Sequence, residues 1–184
     1  MAQENNHNKL PFNQIGDYPE NYSPVSILFR LIQGVGFRYY WATDKLTSVD
    51  LYFKPDLSAK STFQTLEHLY NLSETVKNTV YDKPNYRPYE NKTMTYLDLR
   101  EKTLFNLKEA NDYLIGKDDC FIKNMKIIFE RNGDKTFFPF WNLLNGPISD
   151  MIYHTGQIVS FRRTTGNPIQ SGVNVFTGKT LEIY

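Results

Sequence analysis

The run Asp150-Met151-Ile152-Tyr153-His154-Thr155-Gly156-Gln157 sets a carboxylate and an imidazole four residues apart in a stretch of helical character. On an α-helix, residues i and i+4 share a face with Cβ atoms about 5–6 Å apart, so both side chains can reach one metal ion or one proton. The chain holds three histidines, His7, His68 and His154, so each carries information. His7 falls in a polar N-terminal stretch and reads as a solvated tail residue, whereas His68 lies within a second helical pattern and can bring a third donor. Two histidines and one aspartate from two helices compose a ligand set for a divalent metal. They equally compose a hydrogen-bonded cluster inside a bundle, and spacing alone does not separate the two.

The helix that carries the run is bounded on both sides. Asn145-Gly146-Pro147 precedes it, and Pro147 fits a first helical position, where the missing N–H costs nothing. Arg162-Arg163 suit the negative end of a helix, and Gly166-Asn167-Pro168 stops it. Upstream, Ser23-Pro24 reads as N-cap and first position of a first helix, with Ile27, Leu28, Leu31, Ile32, Val35, Tyr39 and Ala42 recurring at spacings of three and four. Gly34 and Gly36 inside it each cost about 1 kcal/mol against alanine, which calls for close packing with a neighbouring helix or room for a ligand. Residues 44–56 read as an irregular loop. Ser61 and Thr62 are caps for a second helix whose stripe is Leu66, Leu69, Leu72, Val76 and Val80, with His68 beside it. Residues 83–89 form a proline-punctuated linker. A third helix begins near Thr95, with Leu97, Leu104, Leu107 and Leu114 on its core face and Gly116 as terminator.

Between the third and fourth helices the period changes. Residues 125–130 and 135–138 flank Asn132-Gly133, the strongest short-range signal for a two-residue hairpin, and Phe140 to Leu144 adds a helical turn. The expected class is all-α, a four-helix bundle with a small β-hairpin between helices three and four. The expected organisation is a tail over residues 1–21, a bundle over 22–168, and a C-terminal tail over 169–184 packed on the bundle.

Bulk properties exclude several functions. A chain of 184 residues suffices for one domain, which would bury roughly 70% of its unfolded surface. Twenty-one basic against twenty acidic residues leave a net charge of +1, without the basic footprint of a nucleic-acid binder. The apolar-leaning stretch from Pro24 to Ala42 is interrupted by Arg30, Gln33 and Arg38, so no membrane span is expected. The single cysteine, Cys120, cannot form an internal disulfide, and no basic segment followed by an apolar one opens the chain, which favours a cytoplasmic location. Cys120 follows Asp118-Asp119, which disfavours its thiolate and makes it a weak nucleophile.

With four helices, one histidine in the second and a metal-type pair followed by Gly156-Gln157 in the fourth, the chain resembles the DinB/YfiT superfamily. That group is a four-helix bundle in which one His of the second helix and two His separated by three residues on the fourth bind a divalent ion, commonly followed by Gly-Gln. His68 matches the first ligand, His154 the last, and Gly156-Gln157 the trailing pair; Asp150 stands where the middle histidine would be. The resemblance implies a metal held by His68, Asp150 and His154. Zn²⁺ or Ni²⁺ is the first expectation and Mn²⁺ or Fe²⁺ the alternative, because a carboxylate shifts preference towards harder ions. It further implies a thiol-dependent transferase or a hydrolase acting on a small molecule, with a low-molecular-weight thiol as partner and a homodimer as assembly. The competing expectation is a non-catalytic bundle kept for ligand binding or dimerisation. Gln157, Tyr39 and Trp41 are the candidate substrate-binding residues: Gln157 by hydrogen bonding, the two aromatics as pocket walls.

Overall fold

The computed structural model describes residues 10–90 and 93–181; His7 lies outside them. The chain runs α1 (Pro24–Ala42), α2 (Ser48–Tyr52), α3 (Thr62–Val80), β1 (Pro84–Tyr86), α4 (Tyr96–Tyr113), α5 (Asp119–Asn124), β2 (Lys126–Arg131), β3 (Asp134–Pro139), α6 (Phe140–Leu143), a π turn (Leu144–Ile148), α7 (Ser149–Thr164), β4 (Val173–Asn174) and β5 (Lys179–Thr180). The long helices α1, α3, α4 and α7 are the four expected from the sequence, and they form the bundle.

Three of them start where their caps are written. Ser23 with Ser26, Ser61 with Gln64, and Thr95 with Asp98 each form a capping box, in which the cap side chain accepts from the third helical N–H and the third side chain accepts from the cap N–H. The fourth begins differently. Pro147 is not the first residue of a new helix: α6 runs into the π turn and on into α7, with Pro147 inside the turn. A π turn already departs from the i to i−4 ladder, so it tolerates a residue that lacks an N–H.

α3 packs against α4 and α7, and α1 against the same two helices. The core between them holds Leu28, Ile32, Val35, Tyr39, Leu66, Leu69, Val76, Leu99, Leu104, Leu107, Met151 and Ile158, all essentially excluded from solvent. Leu97, expected in this core, is exposed, and Leu99 takes its place.

The hairpin is present, its turn made by Asn132 and Gly133 at φ of 53° and 91°. Two segments carry more order than expected. Residues 83–89 contain β1, which pairs in parallel with β2, Pro84 against Ile128, and turns the hairpin into a three-stranded sheet packed on α3. The loop after Asp44 contains α2, capped by Thr47 and Asp50.

The glycines of α1 are explained by the N-terminal segment and by α1's own side chains. A Cβ at Gly36 would fall 2.5 Å from the Phe12 ring, so the close approach is made by that segment and not by a neighbouring helix. At Gly34 the near neighbour is Arg38, whose guanidinium donates to the Gly34 carbonyl. Ile15 is buried and its N–H donates to the Gly178 carbonyl, which joins the N-terminal segment to the β4–β5 ribbon. Arg162 likewise acts away from its own helix. It is buried, and its guanidinium donates to the carbonyls of Trp41 and Ala42 at the end of α1 and to Asn167. No described helix is long and apolar enough to cross a membrane.

Candidate metal centre

His68 sits on α3 between the buried Leu66 and Leu69, at the edge of the stripe that faces α7. Asp150 and His154 occupy successive turns of α7. Packing of the two helices closes the set: the donor atoms of His68, Asp150 and His154 all lie within 4.8 Å of one another. The Asp150 carboxylate lies between the two rings, with Oδ2 2.9 Å from His68 Nε2 and Oδ1 3.2 Å from His154 Nε2. The imidazoles stand perpendicular, centroids 4.8 Å apart. His154 is the least exposed of the three, at 17% of its side chain, against 29% for His68 and 39% for Asp150.

Gln157 fixes the chemistry of His154. Its Oε1 lies 2.7 Å from His154 Nδ1, so Nδ1–H donates to it and the Nε2 lone pair of the neutral ring is left facing the cluster. This is the arrangement by which an outer partner orients a metal-binding histidine. In the neutral ring that nitrogen and the carboxylate oxygen 3.2 Å away are two acceptors that a cation can join; in the protonated ring they form an ion pair. The donor set fits a divalent ion. Ligand bonds of about 2.1 Å place neighbouring donors about 3.0–3.4 Å apart; the two nitrogen-to-carboxylate separations are close to this, through different oxygens of Asp150, and the whole set lies within 4.8 Å.

The structure separates the remaining candidates from this cluster. Tyr39 is fully buried in the core with its hydroxyl donating to the Leu99 carbonyl over 3.4 Å, and burial raises its phenol far above the ordinary range. It is a packing residue of the core. Trp41 donates from Nε1 to the Asn13 carbonyl and borders a small cavity of about 170 Å³ shared with Arg162 and Asn167, apart from the histidines. Gln157 does hydrogen-bond at the site, but to His154. Three residues without a site role in the sequence pattern adjoin the triad: Tyr153, whose ring centroid lies 5.3 Å from that of His154, and Thr75 and Arg87 across the cavity beside Asp150. Thr75 follows His68 at a spacing of seven, which places it two turns along the same face of α3 and was a legible signal; Arg87 had none.

The fold is a four-helix bundle with a candidate metal site of His68, Asp150 and His154. The crystal structure of a DinB-like protein from Bacillus subtilis, YjoA, is similar to this chain with a TM-score of 0.58, over 76% of this chain and 92% of that one, at 15% sequence identity. At that identity the likeness concerns the fold. No protein-family model matches the sequence, and no curated protein matches it.

Proposed function

We propose that this DinB-like bundle is a divalent-metal-dependent enzyme acting on a small molecule, as a thiol-dependent transferase or a hydrolase. The observation that carries the reading is the orientation of the His154 ring: a hydrogen bond to Gln157 turns its Nε2 towards Asp150 and His68, so that three ligand-type donors from two helices converge within 4.8 Å of one another. A cluster meant only to tie α3 to α7 would be served by the His68 to Asp150 bond alone.

A divalent ion in such a site lowers the pKa of a bound water or thiol towards neutrality. The residues of the chain do the rest. His68 and His154 supply neutral nitrogen donors, Asp150 supplies a negative charge that offsets part of the cation, and Gln157 holds one ring in the required tautomer. The cavity bordered by Thr75 and Tyr153 gives a small molecule access to Asp150. Zn²⁺ or Ni²⁺ suits the two imidazoles; the carboxylate widens the choice to Mn²⁺ and Fe²⁺.

The test is metal content. Protein purified without an affinity tag, equilibrated with Zn²⁺, Ni²⁺ or Mn²⁺ and freed of excess ion should retain close to one ion per chain, and both Asp150→Ala and His154→Ala should abolish retention. Wild-type protein holding less than about 0.2 ion per chain would sink the enzyme reading and leave a non-catalytic ligand-binding bundle.

A further inference from the structure

A cavity of about 410 Å³ opens beside the triad, with Asp150 on its wall. Leu72 and Thr75 of α3 form one side, the π turn with Tyr153 another, and Arg87 with Phe129 closes it from the sheet. Among the described residues Arg87 is the only cation lining this space, and Asp150 the only anion.

The Arg87 guanidinium is held in place. Its central carbon lies 3.6 Å from the centroid of the Tyr89 ring and 4.5 Å from that of Phe129. Its backbone N–H donates to the Glu130 carbonyl over 2.8 Å, which anchors the residue to β2, and Nη1 donates to the Tyr86 carbonyl over 3.1 Å. The ring contacts and the bond to the Tyr86 carbonyl use part of the guanidinium, whose five N–H donors leave others for an acceptor. Burial acts to lower its pKa, so its charge has lost hydration that an incoming anion would replace. Glu74 also contributes field there, but its carboxylate accepts the Tyr70 hydroxyl at 2.7 Å.

The geometry points to this cavity as the recognition site for a small carboxylate-bearing substrate, with Arg87 taking the carboxylate while the reactive end meets the cluster at Asp150, the one of its three residues on the cavity wall. A planar carboxylate matches the guanidinium fork of Arg87 in two parallel N–H···O bonds. This assignment of substrate class rests on the metal reading given above.

Protein loaded with Co²⁺ tests it, because a thiolate that ligates cobalt produces a charge-transfer band. Mercaptoacetate, mercaptopropionate and mercaptobutyrate vary the distance between thiol and carboxylate, and mercaptoethanol is the uncharged control. The best of the three acids should bind the wild type at least about tenfold more tightly than the control, the size expected of one charge-assisted hydrogen-bonded contact. That preference should vanish in Arg87→Met and persist in reduced form in Arg87→Lys. Equal binding of acids and control, or failure of every acid to ligate the bound cobalt, overturns the carboxylate site and leaves the metal reading standing. Failure of the wild type to retain Co²⁺ overturns both. Should Arg87→Met lose the cobalt d–d spectrum of the folded site, the wild-type preference and Arg87→Lys decide the matter.

Discussion

The Nδ1–H of His154 donates to Oε1 of Gln157 across 2.7 Å, one helical turn away, and this bond decides which nitrogen of the ring faces His68. Outer partners of this kind typically change metal affinity by about ten- to a hundredfold when removed. Gln157→Ala should therefore weaken Zn²⁺ binding by about that factor in a chelator competition, with little change in the melting temperature of the metal-free protein. Gln157→Glu, which keeps an acceptor at the same reach, should retain binding. Equal affinity in the alanine variant would show that the ring is oriented by packing alone.

Asp50 gives the acid limb of stability. It is buried, which acts to raise its pKa, but hydrogen bonds from Thr165, Asn167 and Thr47 outweigh burial and hold the carboxyl below its ordinary value. A depressed native pKa means that the unfolded state takes up the proton first as pH falls. The stabilisation is thus complete above the unfolded value near about 3.9, declines below it, and is gone once pH has passed through the native value. Urea midpoints measured from neutral pH downwards should fall in that window for the wild type and fall less steeply for Asp50→Asn, which should also start from a lower midpoint.

Arg162 closes α1 from α7, with Nη1 donating to the carbonyls of Trp41 at 3.0 Å and Ala42 at 3.1 Å. Its loss leaves carbonyls buried at a helix end without donors. Arg162→Met should cost about 2–4 kcal/mol in equilibrium unfolding. Metal affinity per folded molecule should be unaffected, because the residue touches none of the three ligands.

Gly36 and Phe12 form a pair in which any side chain at residue 36 collides with the ring. Gly36→Ala should destabilise the protein by about 1–3 kcal/mol, the usual range for overpacking. In the Phe12→Ala background the same substitution should cost much less. Additive effects in this double-mutant cycle would mean that the N-terminal segment does not rest on α1 in solution.

The parts of the fold that were readable are those made by residues close in sequence. Ser23, Ser61 and Thr95 cap helices through partners three residues on, and Asn132-Gly133 makes a hairpin turn because both residues adopt positive φ. Segments whose order comes from distant partners were misread. β1 has neither the length nor the alternation of a strand and exists because Pro84 meets Ile128. Pro147 looked like a helix start because its tolerance inside a π turn depends on the helix on either side of it.

The candidate site divides along the same line. Asp150, His154 and Gln157 are placed on one face by the 3.6-residue period of a single helix, so the sequence by itself determined that a carboxylate, an imidazole and its orienting amide would meet. Packing of α3 on α7 decided that His68 joins them, at 2.9 Å from Asp150, while packing of α1 on α4 and α7 sent Tyr39 into the core and Trp41 to another cavity. Pairing of β1 with β2 decided that Arg87 stands over the cavity beside Asp150. A helix fixes the relations of residues within a few turns through its own backbone; relations between elements are fixed by which surfaces bury each other, and that is written in no single stretch of the chain.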